Sequence, residues 1–143
     1  MTPVTRYLLA DDVDATAFSA RLIRKVRALN FSVVVHCETA EKQTALIQQL
    51  NKHDLEPQLQ PQSGAIAVCE DAAQALASTS NSTMLKLVRN SLLINFSDKP
   101  ITAFSRFERY AEIASASGTT LETRAQWFSD RGYTIEDHPI FQD

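Results

Sequence analysis

The feature that most constrains this chain is the alternation of short apolar runs with amphipathic segments. Val4–Ala10 (VTRYLLA) and Phe31–Cys37 (FSVVVHC) are rich in bulky and β-branched residues, which is typical of buried strands. Between them, Ala15–Asn30 places apolar residues on one face and basic residues on the rest, which predicts an amphipathic helix. This alternation predicts an α/β fold, with a mostly parallel sheet flanked by helices on both faces and joined by right-handed crossovers.

The same patterns continue along the rest of the chain. Thr39–His53 predicts a second helix, and the apolar runs AIAVCED and Ser91–Phe96 predict two further strands. The segment STSNST is predicted to be a surface loop. Helices are predicted over Phe104–Ala116 and Thr120–Arg131, with Gly132 as the stop of the second, and YTIEDHPIF adds a last short strand.

Length and composition favour one domain over residues 1–143. The apolar content of 44% is enough for a core that needs neither a metal nor a disulfide. Cys37 and Cys69 each lie in an apolar run, so we expect buried, reduced thiols. We find neither a leader pattern nor an apolar run near the length of a membrane span, and therefore expect a soluble cytoplasmic protein without a membrane partner.

The predicted turns do not contain a cofactor or metal motif. The turn after the first strand, ADDVDAT, has no glycine and carries three carboxylates, which would repel a phosphate. His36 and Cys37 are adjacent on a strand and point to opposite faces, so they cannot share one ion. Asp11, Asp12 and Asp14 fit a helix-capping turn, with a magnesium site as the alternative. We therefore expect no catalytic residue, no cofactor and no metal.

The segment Phe104–Tyr133 is unusually rich in arginine and aromatic residues for a chain of net charge −3. On a helix that begins near Thr120, the positions i, i+3, i+4 and i+7 share one side. They are occupied by Arg124, Trp127, Phe128 and Arg131. One interpretation makes Phe128 a core residue and Trp127 a half-buried one; the other makes Trp127 and the arginines a pocket for an acidic peptide that ends in an aromatic residue.

Arg106 and Arg109, on the preceding predicted helix, have two interpretations as well. They extend the basic surface of the last helix, or they are exposed residues of which one pairs with Glu112. The net negative charge argues against general nucleic-acid binding, which usually needs a basic excess.

The segments LLINFSDKPITAFSRFERYAEIA and RAQWFSDRGYTIEDH resemble the C-terminal half of the chi subunit of bacterial DNA polymerase III. RYLL and SVVVHCETAEKQTALIQQL, near the start, resemble the same family. The resemblance implies an α/β accessory subunit of the clamp loader without catalytic activity. It also implies two protein partners: the psi subunit, and the acidic C-terminal tail of single-stranded DNA-binding protein, which ends in Pro-Phe. Contact with DNA is then only indirect.

The resemblance also implies which residues meet each partner. The tail-binding helix of the family resembles Thr120–Tyr133, although Glu122 and Gln126 stand where other members often have basic residues. The psi-facing surface of the family matches this chain only at Leu50, Leu59 and Pro61. The implied psi-facing residues are Leu50, Leu59 and the divergent Asn51. The implied tail-binding residues are Arg124, Trp127, Phe128, Arg131, Tyr133 and Arg109.

Two other functions are compatible with the sequence. One is a small enzyme at the carboxyl edge of the sheet, near Asp11, Asp12 and Cys37. The other is single-stranded nucleic-acid binding, with bases stacked on Trp127 and Tyr133. For the peptide-binding hypothesis, we expect an Arg124→Glu substitution to weaken binding.

Overall fold

Six strands form one parallel sheet in the computed structural model, which describes residues 2–141. The strand order is β3-β2-β4-β5-β1-β6, and every strand pairs in parallel with its neighbours. The α/β prediction is therefore confirmed. The strands are β1 (Val4–Leu9), β2 (Ser32–His36), β3 (Ile66–Cys69), β4 (Ser91–Asn95), β5 (Arg109–Ser115) and β6 (Ile135–Ile140). The helices are α1 (Ala15–Ala28), α2 (Ala40–Lys52), α3 (Ala72–Ala77), α4 (Asn81–Leu87) and α5 (Leu121–Asp130), with a 3-10 turn at Thr102–Arg106.

Helices cover both faces of the sheet and create two apolar layers. On one face, α1 and α2 pack through residues such as Ile23 and Leu46 against β-strand residues such as Val33. On the other face, Phe104 and Phe128 pack against Tyr110 of β5, together with α3 and α4. Because β2 and β4 lie inside the sheet, all their residues are buried, which explains their continuous apolar sequence.

Local signals determine where the first two helices begin. The Asp14 carboxylate accepts hydrogen bonds from the backbone N–H groups of Thr16 (2.9 Å) and Ala17 (3.3 Å), and so caps α1. The Thr16 hydroxyl also donates to this carboxylate. That bond, followed by the backbone bonds, holds the pKa of Asp14 below its usual value. The Thr39 hydroxyl caps α2 in the same way.

Two predicted elements are wrong. Phe104–Ala116 is not a helix but the 3-10 turn followed by β5. Since β5 lies between β4 and β1, both its faces are buried, and the alternation that would have marked a strand is missing. The predicted loop STSNST contains the start of α4, which Ser80 caps through its hydroxyl.

The remaining predictions for the end of the chain are confirmed. The last predicted helix is α5, and Gly132 follows it with a φ of 81°, a left-handed conformation that glycine adopts without strain. The last strand is β6, paired with β1.

The two cysteines are buried and unpaired by a disulfide, as expected. Burial raises the pKa of both thiols, that of Cys69 to about 11, with a smaller contribution from Asp71. Over residues 2–141, no helix combines the length and the apolar character needed to cross a bilayer.

Candidate functional site

Helix α5 has one buried side and one side that reaches the surface. It follows β5 and precedes β6, so it runs back from the carboxyl edge of the parallel sheet to the amino edge. Arg124 and Phe128, one turn apart, are both buried. Trp127 is half-buried beside them, and Arg131 is exposed. The four predicted positions therefore lie in two different environments.

Arg124 belongs to a buried charge network. Its Nε donates to one carboxylate oxygen of Glu112 at 3.0 Å, its Nη2 donates to the other, and its Nη1 donates to the Ser97 carbonyl at 2.7 Å. The Tyr110 hydroxyl also donates to Glu112, at 2.7 Å. Burial, followed by the nearby Glu112 carboxylate, raises the pKa of Tyr110 above its ordinary value.

This network changes the interpretation of two predicted residues. Glu112 does not pair with Arg106 or Arg109, because its carboxylate is turned inward to Arg124. An Arg124→Glu substitution would place a second carboxylate against Glu112 inside the protein. Its first effect would be on folding, so it does not test peptide binding.

The exposed end of α5 forms an aromatic and cationic surface. The Arg131 guanidinium lies 3.8 Å from the centroid of the Trp127 ring, and its Nη1 donates to the Trp127 carbonyl at 2.9 Å. Beneath them, the buried Phe104 ring lies 6.3 Å from Trp127 and 4.7 Å from Tyr133, centroid to centroid. We call Trp127, Arg131 and Tyr133 the α5 surface.

The α5 surface is held in place before any ligand binds. Stacking on Trp127 and the bond to its carbonyl restrict the Arg131 side chain, which lowers the entropy cost of a further contact. One hydrogen bond uses one of five N–H donors of the guanidinium, and Arg131 forms no ion pair within residues 2–141. The group can therefore bind a carboxylate while it stays on the ring.

Arg109 lies on the other side of the sheet from α5. It opens β5, and the alternate residues Ala111 and Ile113 pack into the layer beneath α1 and α2. Its guanidinium lies 5.2 Å from the centroid of the Phe31 ring, just before β2. Arg109 therefore does not join the α5 surface. Phe104, which begins one of the predicted helices, supports this surface instead.

The three implied psi-facing residues do not form one patch. Leu50 is fully buried in the core. Asn51 is exposed in the last turn of α2, which ends at the amino edge of the sheet. Leu59 is 79% exposed and lies at the carboxyl end of β3, where the Cys69 thiol donates to its carbonyl at 3.6 Å.

Leu59 lines an open groove of about 790 Å³. The groove lies beyond the carboxyl ends of β2 and β3. The carboxylates that line it are Glu38, Glu70 and Asp71, and the His36 ring lies beside them. The His36 ring accepts a hydrogen bond from the Ala72 N–H at 3.0 Å and lies 3.2 Å from a Glu38 oxygen. A partner segment at Leu59 would therefore meet a negatively charged groove.

A second depression lies where the sheet topology favours ligands. β1 and β5 are neighbours, but α1 leaves β1 toward one face and α5 leaves β5 toward the other. The crevice of about 440 Å³ at this point is lined by Asp11 and Asp14 but by neither Asp12 nor Cys37. Asp14 is already engaged as the α1 cap, and no group of residues within 2–141 is arranged to hold a metal ion.

No protein-family model, curated protein or solved structure matches this chain. The α5 surface and the grooves therefore have to be interpreted from their own chemistry. Among them, the α5 surface alone combines aromatic rings in tilted and edge-to-face contact with a cation that is held in position.

Proposed function

We propose that this chain is a non-catalytic adapter of the chi type in the bacterial cytoplasm. Its α5 surface binds the acidic C-terminal tail of single-stranded DNA-binding protein, and a second surface binds psi, so that the chain links that protein to the clamp loader of DNA polymerase III. It meets DNA only through its partners. The observation that carries the proposal is the exposed Arg131 guanidinium stacked on Trp127, in a segment that resembles the tail-binding helix of that family.

The chemistry of the tail suits this surface. A terminal or side-chain carboxylate accepts two parallel hydrogen bonds from a guanidinium, which is the strongest exposed contact available to it. The half-buried faces of Trp127 and Tyr133 offer apolar area to a terminal phenylalanine. Arg131 thus takes the charge of the tail, and the rings take its aromatic end.

The buried residues of the same helix have a supporting role in this proposal. Phe128 lies beneath Trp127, with ring centroids 5.0 Å apart, and Arg124 fixes α5 to β5 through Glu112. They position the helix rather than touch the tail. For psi, we propose the region around Leu59 as the contact, whereas Leu50 is a core residue away from it.

Intrinsic fluorescence tests the tail site directly, because Trp127 is the only tryptophan. The chain is titrated with a peptide that ends in Asp-Asp-Ile-Pro-Phe, at low and high salt, and with the same peptide without its final phenylalanine. We expect a saturable change in Trp127 emission that salt weakens and that the shortened peptide does not produce.

Charge reversal locates the site. Arg131→Glu should weaken binding by about tenfold or more, because it replaces an attractive charge-assisted contact with a repulsive one. Arg24→Glu, the same change on α1 across the sheet, is the matched control and should leave the affinity unchanged. Binding of equal strength in the Arg131→Glu protein, measured by calorimetry, would remove the α5 surface from the proposal.

The nucleic-acid alternative makes a different use of Trp127. Stacked bases bring a phosphate backbone with them, whereas this chain has a net charge of −3, which disfavours a polyanion. The same fluorescence titration with a single-stranded oligonucleotide at low salt should therefore leave the emission unchanged. A saturable response to the oligonucleotide, with none to the peptide, would favour the nucleic-acid function instead.

A further inference from the structure

A second groove lies on the same side of the sheet as α5, between α4 and the 3-10 turn Thr102–Arg106. It has a volume of about 530 Å³ and is lined by Asn81, Met84, Leu85, Val88 and Arg106. Leu85 is 69% exposed. We call it the α4 groove. It is separate from the α5 surface, since none of the residues that line it belongs to that surface.

Helix α4 is apolar on two sides. Its inner side buries Leu87 completely in the core beneath. Its outer side carries Met84, Leu85 and Val88, which with Asn81 follow the i, i+3, i+4, i+7 spacing of one helix face. Met84 also packs against that core, so the apolar area beyond what folding needs is that of the exposed Leu85 and the half-buried Val88, which is typical of an interaction surface.

The charges near the α4 groove are mainly positive, the exception being Glu108, whose carboxylate accepts a hydrogen bond from the backbone of the turn after α4. Residues 72–97 contain no aspartate or glutamate, although the chain as a whole has a net charge of −3. The charged residues of α4 and its end are Lys86 and Arg89, and Arg106 is the charged residue that lines the groove. A partner that complements this groove is therefore acidic as well as apolar.

We propose that the α4 groove binds an acidic amphipathic helix from a partner protein. Aliphatic side chains of that helix, spaced by three and four residues, pack against Met84, Leu85 and Val88, as ridges of one helix pack into the grooves of another. Its flanking carboxylates lie against Arg106, Lys86 and Arg89. This docking needs neither an aromatic end nor a free carboxyl terminus, so it does not depend on the tail site at α5.

The test uses the full chain and a synthetic probe. The probe is a short helical peptide of leucine and glutamate with leucines spaced by three and four residues, blocked at both ends so that it has no terminal carboxylate. Backbone amide resonances of the ¹⁵N-labelled chain are followed during the titration. We expect the shifted resonances to cluster in residues 81–89 and 102–106, with the resonance of the Trp127 indole unchanged.

Matched variants distinguish binding at the α4 groove from non-specific hydrophobic binding. Leu85→Ser and Arg106→Glu should each lower the affinity for the probe by about five- to tenfold. The first removes apolar contact and the second reverses a complementary charge. Leu29→Ser is the control, because Leu29 is 63% exposed but lies at the end of α1. Arg131→Glu should also leave the affinity for the probe unchanged, although it lowers the affinity for the tail peptide.

Several results would overturn the proposal. These are the absence of any shift, shifts centred on α5, or an equal loss of affinity in the Leu29→Ser protein. A dimer that forms through the groove at high concentration and is abolished by Leu85→Ser would identify a second copy of the chain as its occupant. Sedimentation of the chain with anionic lipid vesicles, lost in Arg106→Glu while the peptide fails to bind, would identify a membrane surface.

Discussion

Arginine has two distinct roles in α5, and burial decides which. Arg124 is 6% exposed, and its guanidinium meets a carboxylate and a backbone carbonyl inside the protein. Arg131, two turns later, is exposed and stacks on Trp127. The first links two elements, whereas the second keeps donors for a ligand. Helical spacing shows that both arginines can lie on one side of the helix. It does not show that Arg124 is buried, because that depends on its partner Glu112 in another element.

The buried pair makes a sharp prediction for stability. Glu112→Ala should lower the free energy of unfolding by about 3–5 kcal/mol, because it leaves the Arg124 guanidinium buried without a countercharge. Urea denaturation followed by Trp127 fluorescence measures the change. The double substitution Glu112→Leu with Arg124→Met should recover much of the loss, since it removes both charges. A loss below about 1 kcal/mol in the single variant would mean that the pair is solvated.

At the scale of elements, the parts of the fold that could be predicted were those with local signals. The amphipathic pattern of α1, the apolar run of β2 and the glycine after α5 are each readable within one segment. β5 was mistaken for a helix because both its faces are covered, so its apolar residues follow no period of two. Glu112 within it resembled an exposed helical position, because its partner comes from another element.

The candidate site shows the same limit. Trp127, Arg131 and Tyr133 were identified correctly as neighbours, because they lie within one helix and its end. Arg109 does not lie with them, because the predicted helix that contains it is the strand β5. Its position on the other side of the sheet follows only from the strand register. The exposed stripe of α4 was missed because a segment rich in serine and threonine resembles a loop, although Ser80 is its cap.

The edge strand β6 depends on one buried arginine. Arg6 of β1 donates to both oxygens of Asp137 in β6, at 2.7 and 2.9 Å, and to the Leu121 carbonyl at the start of α5, at 2.7 Å. The Arg6 contact holds the pKa of Asp137 below its usual value. β6 pairs with β1 alone among the described strands, so this ion pair adds to the few side-chain links that hold the edge strand, which include the core packing of Ile135 and Ile140.

We expect Asp137→Ala to loosen β6 locally. Amide hydrogen exchange should become faster for residues 135–140 and for the first turn of α5, while α1 and β2 keep their protection. Glu136→Ala is the matched control, because Glu136 is an exposed neighbour whose contact is with His138 on the same strand. Uniformly faster exchange across the chain would show that the Arg6 contact supports the whole sheet rather than its edge.

At the scale of the molecule, the two faces of the sheet differ in what they leave exposed. The face of α1 and α2 carries Arg109 on Phe31 and a basic helix surface. The face of α3, α4 and α5 carries both the α4 groove and the α5 surface, joined by the 3-10 turn, which contributes Arg106 to one and Phe104 to the other. Two partners bound on this face would lie side by side, so binding of one is expected to be sensitive to the size of the other.

The whole molecule also has a predictable response to pH. Asp14 and Asp137 have lowered pKa values in the folded chain, by hydrogen bonds from Thr16 and Arg6 respectively. A carboxyl with a lowered pKa stabilises the fold above its unfolded pKa, and this contribution is lost as the pH falls through the folded value. Stability should therefore decline on the acidic side, below the ordinary range for aspartate.

On the alkaline side, Cys69 is one of four groups whose pKa burial raises, together with Cys37, Tyr7 and Tyr110. Burial raises its pKa from 9.0 to about 11, so between these values the unfolded thiol loses its proton while the folded one keeps it. The contribution of this thiol to the free energy of unfolding is fully present below pH 9. It falls as the pH rises toward 11, by at most about 1.4 kcal/mol per pH unit for one such group. Cys69→Ala should make this slope shallower. The slope is the quantity to compare, because the substitution also changes the free energy of unfolding at neutral pH. Urea denaturation at pH 7, 9, 10 and 11 measures the slope, and an unchanged slope in the variant would assign the alkaline response to Cys37, Tyr7 and Tyr110 instead.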